Sequence, residues 1–328
     1  MNGCDPMKKQ LSHYLLLLIL IIVVNFFLPR LMPGSPIKTL TGEDVGSLTA
    51  AEKQGILAAY DLDKPIGRQF VLYLRHLFTL QWGNSYSKRQ PIWLLIRSRI
   101  GWTLLLAGTN LLISTLVGTF LGVFAAAHRQ SRRGTTALMG SAIVSSLPPF
   151  WLAMILLSIF GVQLGWFPLY GAYDLWGKYT GLAKILDILR HLALPLLTLV
   201  LTSFMMFFTT ARYGALQVLS EDYLKMAAMR GISKGRIRRA YVLRNTWIPV
   251  FSMVMLDVGY LLSGSVLIET VFSYPGLGSL MQEAVRARDY PLIQYTFLVS
   301  SALTIVAMFA ADLLQPLVDP RLGGGRRE

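Results

Sequence analysis

Six stretches of this chain are long and apolar enough to cross a bilayer, and that fact constrains the fold more than any other. A spanning helix needs roughly 20 consecutive apolar residues. Residues 11–28, 102–127, 191–211 and 290–311 contain no Asp, Glu, Lys or Arg. Residues 135–161 lie within a longer uncharged stretch between Arg133 and Asp174, and residues 245–268 carry one acid, Asp257. Composition agrees: 54% of the residues are hydrophobic and 15% charged, where soluble domains carry about 25% charged. At 328 residues the chain could make two soluble domains, but so little charge would not cover them in water. So apolar a chain collapses, which excludes disorder. One cysteine, Cys4, excludes a disulfide framework and a thiolate-rich metal site.

The first stretch follows Lys8 and Lys9, as a cleaved signal peptide would, but Phe26, Phe27, Leu28, Pro29 and Arg30 stand where a small-residue cleavage site belongs. It reads as an uncleaved signal-anchor. Orientation follows from the short loops. With the N-terminus inside, the cytoplasmic segments carry sixteen Lys and Arg against five in the two short outer loops. The net charge of +14 therefore reflects basic cytoplasmic loops rather than a nucleic-acid surface. The first outer segment, residues 29–101, is too long for its charges to control topology. Helix-like patterns cover residues 50–60 and 69–80 within it. The reading is an all-α polytopic membrane protein with six transmembrane helices and both termini cytoplasmic. In chain order it comprises residues 1–28 (N-terminus and first span), 29–101 (outer segment), 102–316 (five-span core) and 317–328 (cytoplasmic tail).

Pro148-Pro149 falls inside the third span, removes two amide donors and predicts a kink, either a packing feature or a hinge. Ser145 and Ser146 can satisfy the freed carbonyls. Catalytic chemistry is not in evidence. The glycines at Gly231 and Gly235, and at Gly276 and Gly278, lack the spacing of a phosphate-binding loop. His13, His76, His128 and His191 are scattered, so no metal site is expected.

The largest cytoplasmic loop between spans, residues 213–245, is more informative. Ser220 predicts an N-cap, Glu221 and Asp222 put negative charge in a first turn, and Gly231 predicts a left-handed stop. Leu224, Ala227 and Ala228 share one face of the helix spanning 221–230, and Ser233 can cap a second short helix over 234–243. This is either a docking element or a basic loop that satisfies topology and touches anionic lipid. Asp257 stands near the middle of a span with Tyr260, Leu261 and Gly264 on its face. An acid there costs at least about 2.5–3.5 kcal/mol, so it faces protein or water. It either lines a cavity or pairs with a neighbouring span.

Ala227-Ala228-x-x-Gly231, followed by a basic helix and Leu243-Arg244-Asn245, resembles the coupling motif of permease subunits in bacterial ABC importers, in the dipeptide/oligopeptide/nickel branch. Pro33-Gly34-Ser35-Pro36, Leu62-Asp63-Lys64-Pro65, Gly83-Asn84-Ser85, Pro148-Pro149-Phe150-Trp151-Leu152, the run from Glu269 through Phe272, Tyr274 and Pro275 to Gly278, Arg288-Asp289-Tyr290-Pro291 and Asp319-Pro320-Arg321 extend the likeness in order along the chain. Lys225 stands where the coupling motif's acid usually does, and Leu80-Gln81 replaces a usual Gly-Asp.

The resemblance implies the type I importer permease fold and a subunit that is not an enzyme. Its partners would be a second homologous permease, two cytoplasmic ABC ATPases that hold ATP and Mg, an extracytoplasmic substrate-binding protein and membrane lipid. No cofactor is expected in the chain itself. Coupling to the ATPase is assigned to Glu221, Asp222, Tyr223, Ala227, Ala228, Gly231 and Arg236. The translocation path is assigned to Asp257, Tyr260 and Gly264. The outer gate or binding-protein contact is assigned to Glu269, Phe272, Tyr274, Pro275 and Gly276. The substrates implied are di- and oligopeptides, or nickel and metal chelates. The alternative is a stand-alone secondary transporter or channel for a small cationic solute.

Overall fold

The computed structural model describes residues 6–31, 49, 54, 63–258 and 265–318. Among these the regular structure is helical, apart from one isolated antiparallel bridge between Asn84 and Pro91. In chain order the helices are α1 (Pro6–Leu31), α2 (Ile66–Phe78), α3 (Ile92–Ala127), α4 (Arg132–Ser145) and α5 (Pro149–Leu156), which continues as a π-helical turn (Leu157–Gln163). Then come α6 (Gly181–Ser220), α7 (Asp222–Met229) and α8 (Lys234–Arg236), which passes through a second π-helical turn (Ile237–Leu243) into α9 (Arg244–Val258). The last three are α10 (Val266–Val271), α11 (Leu277–Ala287) and α12 (Tyr290–Val318).

Three helical stretches, Ile92–Ala127, Gly181–Ser220 and Tyr290–Gln315, are each long and apolar enough to cross a membrane. A fourth span results if α4 and the α5 segment count as one bent pair, and α1 contributes the shorter apolar stretch Leu11–Phe27. The fifth stretch read from sequence falls on α9 and α10, on either side of residues 259–264, which lie outside the described residues. The helix expected over 69–80 is α2; the one expected over 50–60 lies almost wholly outside the described residues.

Pro148-Pro149 does more than kink the third span. α4 stops at Ser145, Pro148 is extended (φ −57°, ψ 135°), Pro149 opens α5, and the two helices meet at 96°. A proline at the first helical position has no amide to lose and a ring already set for the helix, so the pair ends one helix and starts another. The serines do not take the expected role: the prolines free the carbonyls of Val144 and Ser145, whereas Ser145 Oγ donates to the Ser141 carbonyl at 2.8 Å and Ser146 Oγ to that of Ile143 at 2.7 Å, and the Val144 carbonyl accepts the Leu147 amide at 3.4 Å.

The chain divides into two compact units, residues 1–101 with 275–305, and residues 102–274 with 306–328. The division read from sequence followed chain order; here residues 275–305 pack with the first hundred. In the first unit, Phe26, Tyr73, Ile92, Ile96, Leu280 and Leu292 form a buried core. Trp82 stacks on Tyr295 with centroids 5.0 Å apart. Asn25 is wholly buried, and its amide donates to the Gln294 carbonyl at 2.8 Å and to the Tyr73 hydroxyl at 3.2 Å.

Asp289 ties this unit together. Its buried carboxylate accepts from Ser85 Oγ at 2.5 Å and, on the same oxygen, from the amide and hydroxyl of Ser87 at 2.9 Å each. The other oxygen caps α12 by accepting the Leu292 amide at 3.2 Å. Two motifs about 200 residues apart in sequence, Gly83-Asn84-Ser85 and Arg288-Asp289-Tyr290, thus meet at one side chain.

In the second unit α3 and α6 approach at Gly118 and Gly122. A Cβ on Gly118 would lie 2.5 Å from the Phe204 carbonyl oxygen and 2.7 Å from Phe207 Cβ. A Cβ on Gly122 would run into the Phe208 carbonyl oxygen. Small residues four apart permit this backbone approach, which gives lipid-embedded helices their dispersion contacts. Phe207, Phe208 and Ala211 fill the seam and are fully buried.

Candidate functional site

The candidate coupling segment begins where α6 ends. Ser220 is the last residue of that helix, and its hydroxyl donates to the Gln217 carbonyl at 2.7 Å, so it does not cap the next one as the sequence suggests. Glu221 takes the extended conformation instead (φ −70°, ψ 138°), and its carbonyl accepts the Leu224 amide at 3.2 Å. The helix is therefore Asp222–Met229, shorter by one residue at each end than read from sequence. Asp222 complements the helix dipole in the first turn. Its 2.7 Å pair with Lys225 is solvent-exposed and contributes little. Gly231 has φ +78°, and the Ile232 amide donates to the Ala227 carbonyl at 3.2 Å, closing the left-handed stop that the sequence predicts.

Which face points outward differs from the sequence reading. Leu224 and Ala227 are buried against the chain itself, Leu224 in a cluster with Ala211, Ala215, Val242 and Val250. The small-residue side at Ala227 is thus used for internal packing and is not the exposed docking face. The large apolar residues that point outward are Tyr223, Met226 and Met229, at 38%, 53% and 79% exposure, beside the exposed Asp222–Lys225 pair. The Ala228 side chain lies outside the described ones. Tyr223 is tethered: Asn245 Nδ2 donates to its hydroxyl at 3.2 Å and to the Tyr241 carbonyl at 2.9 Å.

The second helix is not short. Helical backbone runs from Lys234 through the π-helical turn to Val258, with Arg236 exposed near its start. A π turn inserts one residue without ending the helix, so the basic segment and α9, with Pro249 inside it, form one helical rod. Its far end carries Asp257, partly buried. Tyr260 and Gly264, grouped with it from sequence, lie outside the described residues.

The outer-gate candidates separate between the two units. Glu269, Phe272 and Tyr274 belong to the second and are at 0%, 2% and 1% exposure. Glu269 Oε1 accepts from Thr103 Oγ1 at 2.9 Å and Ser265 Oγ at 3.1 Å, and its backbone carbonyl accepts the Tyr274 amide at 2.7 Å. The Tyr274 hydroxyl donates to the Trp102 carbonyl at 3.3 Å, and the Phe272 carbonyl accepts the Gly171 amide at 3.0 Å. These three are packing and hydrogen-bonding residues, so the binding-protein contact read from sequence does not fall on them. Buried polar groups of this kind are retained when each has a partner. Pro275, half-buried, and Gly276, buried, belong to the first unit, where Gly276 precedes α11.

The sequence reading missed the Asp289 clasp and the Gly118–Gly122 seam. Both left signals: an Asp directly before a predicted span is an N-cap pattern, and Gly-x-x-x-Gly within an apolar stretch is a close-approach pattern.

Comparison with known proteins gives the family. The family model "Binding-protein-dependent transport system inner membrane component" matches residues 118–324. The di/tripeptide transport system permease protein DppB of Pseudomonas aeruginosa is 35% identical over 318 residues, covering 92% of this chain and 94% of that protein. The glutathione transport system permease protein GsiC of Salmonella choleraesuis is 34% identical, covering 96% and 97%. A dipeptide transport system permease of Lactococcus lactis is 30% identical over the same shares. A chain of the inward-facing MetNI methionine ABC transporter shares the fold with TM-score 0.54 and 14% identity, over 70% of this chain and 98% of that one. The stand-alone secondary transporter is set aside, and the chain belongs to the binding-protein-dependent transport system inner membrane components, as a multi-pass ABC importer permease of the peptide/nickel branch.

Proposed function

We propose that this chain forms half of the translocation pathway of an ATP-driven importer of di- and oligopeptides. A second, similar permease supplies the other half, two ABC ATPases holding ATP and Mg dock beneath it, and an extracytoplasmic binding protein delivers the peptide. The relatives, di/tripeptide, glutathione and dipeptide permeases by name, support peptide as the substrate class.

One observation carries the mechanical part of the reading. α7 is a short helix that ends on Gly231 and leads into helical backbone running without a break to Val258. A foot joined to a span by a single tight turn transmits displacement instead of absorbing it. Tyr223, Met226 and Met229 form the face offered to an ATPase groove, and unbranched methionine adapts well to such a groove. ATPase closure pushes α7, and the rod moves the fifth span. Asp257 faces the path, where its charge meets the amine of a passing peptide, and Tyr260 and Gly264 line the same path. Glu269, Phe272 and Tyr274 hold the outer gate from within, and Pro275 and Gly276 remain the candidates for contact with the binding protein.

The test is ATP-dependent uptake of a labelled dipeptide by liposomes holding both permeases and both ATPases, with binding protein added outside. Gly231→Val forces a β-branched residue to positive φ, at a cost of about 1–2 kcal/mol. The expected result is continued ATP hydrolysis with reduced uptake. Unchanged uptake in that variant would refute the lever, and wild-type transport of metal chelates but not peptides would refute the substrate class.

A further inference from the structure

The segment between the π-helical turn ending at Gln163 and the uncharged part of α6 sorts its side chains by chemistry. Trp166, Tyr170 and Trp176 are 63%, 73% and 90% exposed. They border an open cleft of about 510 Å³, with Asp174 and Asp187 on its wall. The two acids are turned to internal use. Asp187 Oδ2 accepts the Asp174 amide at 2.7 Å, its other oxygen lies 3.3 Å from His191 Nδ1, and Asp174 Oδ1 accepts the Trp176 amide at 2.9 Å. Neither acid is exposed, whereas all three bases of the segment, Lys178, Lys184 and Arg190, are. The surface therefore displays large aromatics and cations and no exposed acid.

The first turns of α6 extend the pattern. Leu182, Ile185, Leu186 and Leu189 recur at i, i+3, i+4 and i+7 and are each more than half exposed. This stripe runs directly into residues 191–211, so it is continuous with a membrane-spanning surface. Trp and Tyr concentrate where an apolar ring body and a polar tip can both be satisfied, at the boundary of acyl chains and headgroups. Protein interfaces favour the same aromatics but are depleted of lysine. Two exposed lysines and an arginine among them fit anionic phosphates instead.

We propose that residues 164–190 form an interfacial anchor that lies on the lipid headgroup layer. The Trp166, Tyr170 and Trp176 rings sit at the acyl boundary, and Lys178 and Arg190 meet lipid phosphates. The orientation read from the loop charges places this anchor in the outer leaflet. It fixes the depth of the bent third span and the start of α6, the two elements it joins. The inference rests on membrane residence alone and stands or falls apart from the coupling lever.

The experiment places a nitroxide on Trp176→Cys, with Cys4→Ser, in the full chain assembled with its partners in nanodiscs. Collision with oxygen is compared with collision with a water-soluble nickel chelate. The expected label sits at headgroup depth, with oxygen contact raised and nickel contact reduced, and moves deeper when phosphatidylglycerol is added to phosphatidylcholine. Lys178→Gln with Arg190→Gln removes that lipid dependence. Nickel access equal to open water overturns the proposal, as does shielding from both reagents, which marks a protein cover. A second measurement keeps the fold nearly intact: Trp176→Phe lowers the part of the emission quenched by lipids brominated on their acyl chains. An unchanged quenched part also overturns it.

Discussion

The Asp289 clasp gives the most quantitative test of how the fold is held. Its carboxylate takes four hydrogen bonds in a fully buried position, three on one oxygen from Ser85 and Ser87 and one on the other from Leu292. Losing the helix cap alone costs about 0.5–2 kcal/mol. A hydrogen bond to a charged group is worth about 1.5–3 kcal/mol, and each stranded donor adds about 1–3 kcal/mol. These terms overlap, so Asp289→Ala should cost roughly 3–5 kcal/mol of local stability. Asp289→Asn keeps one acceptor oxygen and should fall between wild type and alanine. The readout is trypsin cleavage in the loop that the clasp closes, after Lys88 or Arg89, followed by mass spectrometry on the purified chain. Cleavage that tracks the open population should rise about 100-fold for a loss of 3 kcal/mol. Ser85→Ala should cost far less in the Asp289→Ala background than alone. Cleavage unchanged in Asp289→Ala, or strictly additive effects of the two substitutions, would refute the clasp.

Other substitutions test the remaining elements. Gly118→Ala places a Cβ 2.5 Å from the backbone oxygen of Phe204; it should cost about 1–3 kcal/mol in thermal denaturation of the purified chain. Gly140→Ala, where the added Cβ meets nothing within 4 Å, should gain about 0.5–1 kcal/mol in the same assay. Met226→Glu with Met229→Glu should abolish copurification with the ATPase while the chain stays folded, and retention of the ATPase would move the docking face elsewhere. Asn245→Ala frees the Tyr223 hydroxyl and should lower uptake per ATP hydrolysed more than it lowers hydrolysis; equal losses would point to misfolding rather than slack in the lever.

The elements most legible in the sequence were those set by solvent and by backbone chemistry. Uncharged windows located α3, α6 and α12 because no other environment suits them. Gly231 announced a helix end and Pro148-Pro149 a kink because their backbone preferences act locally, whatever packs around them. That the kink would be a full break was not legible: a proline pair marks where a helix is disturbed, whereas the 96° between α4 and α5 depends on neighbours distant in sequence. The Asp289 clasp was hidden for the same reason, since its two halves carry no mutual signal until the fold brings them together.

The misread face of α7 shows where periodicity stops being informative. Leu224 and Ala227 share a face, and a stripe of this kind says only that something packs closely there. Two uses were open to it, packing on the chain's own α6–α9 junction or docking on a partner outside. The structure gives it to the junction: Leu224 lies in one buried cluster with Ala211, Ala215, Val242 and Val250 of the same unit. The outward face is then fixed by exclusion, and it carries Met226 and Met229. Under the proposed lever Ala227 keeps a part in coupling by this route, since close seating of α7 on the junction would stop the foot from tilting independently of the rod. A larger side chain there, such as Ala227→Leu, should therefore pry α7 from its own chain and reduce uptake with the methionine face chemically unchanged. If that variant transports normally while Met226→Glu with Met229→Glu does not, docking alone matters and the rigid seat is dispensable.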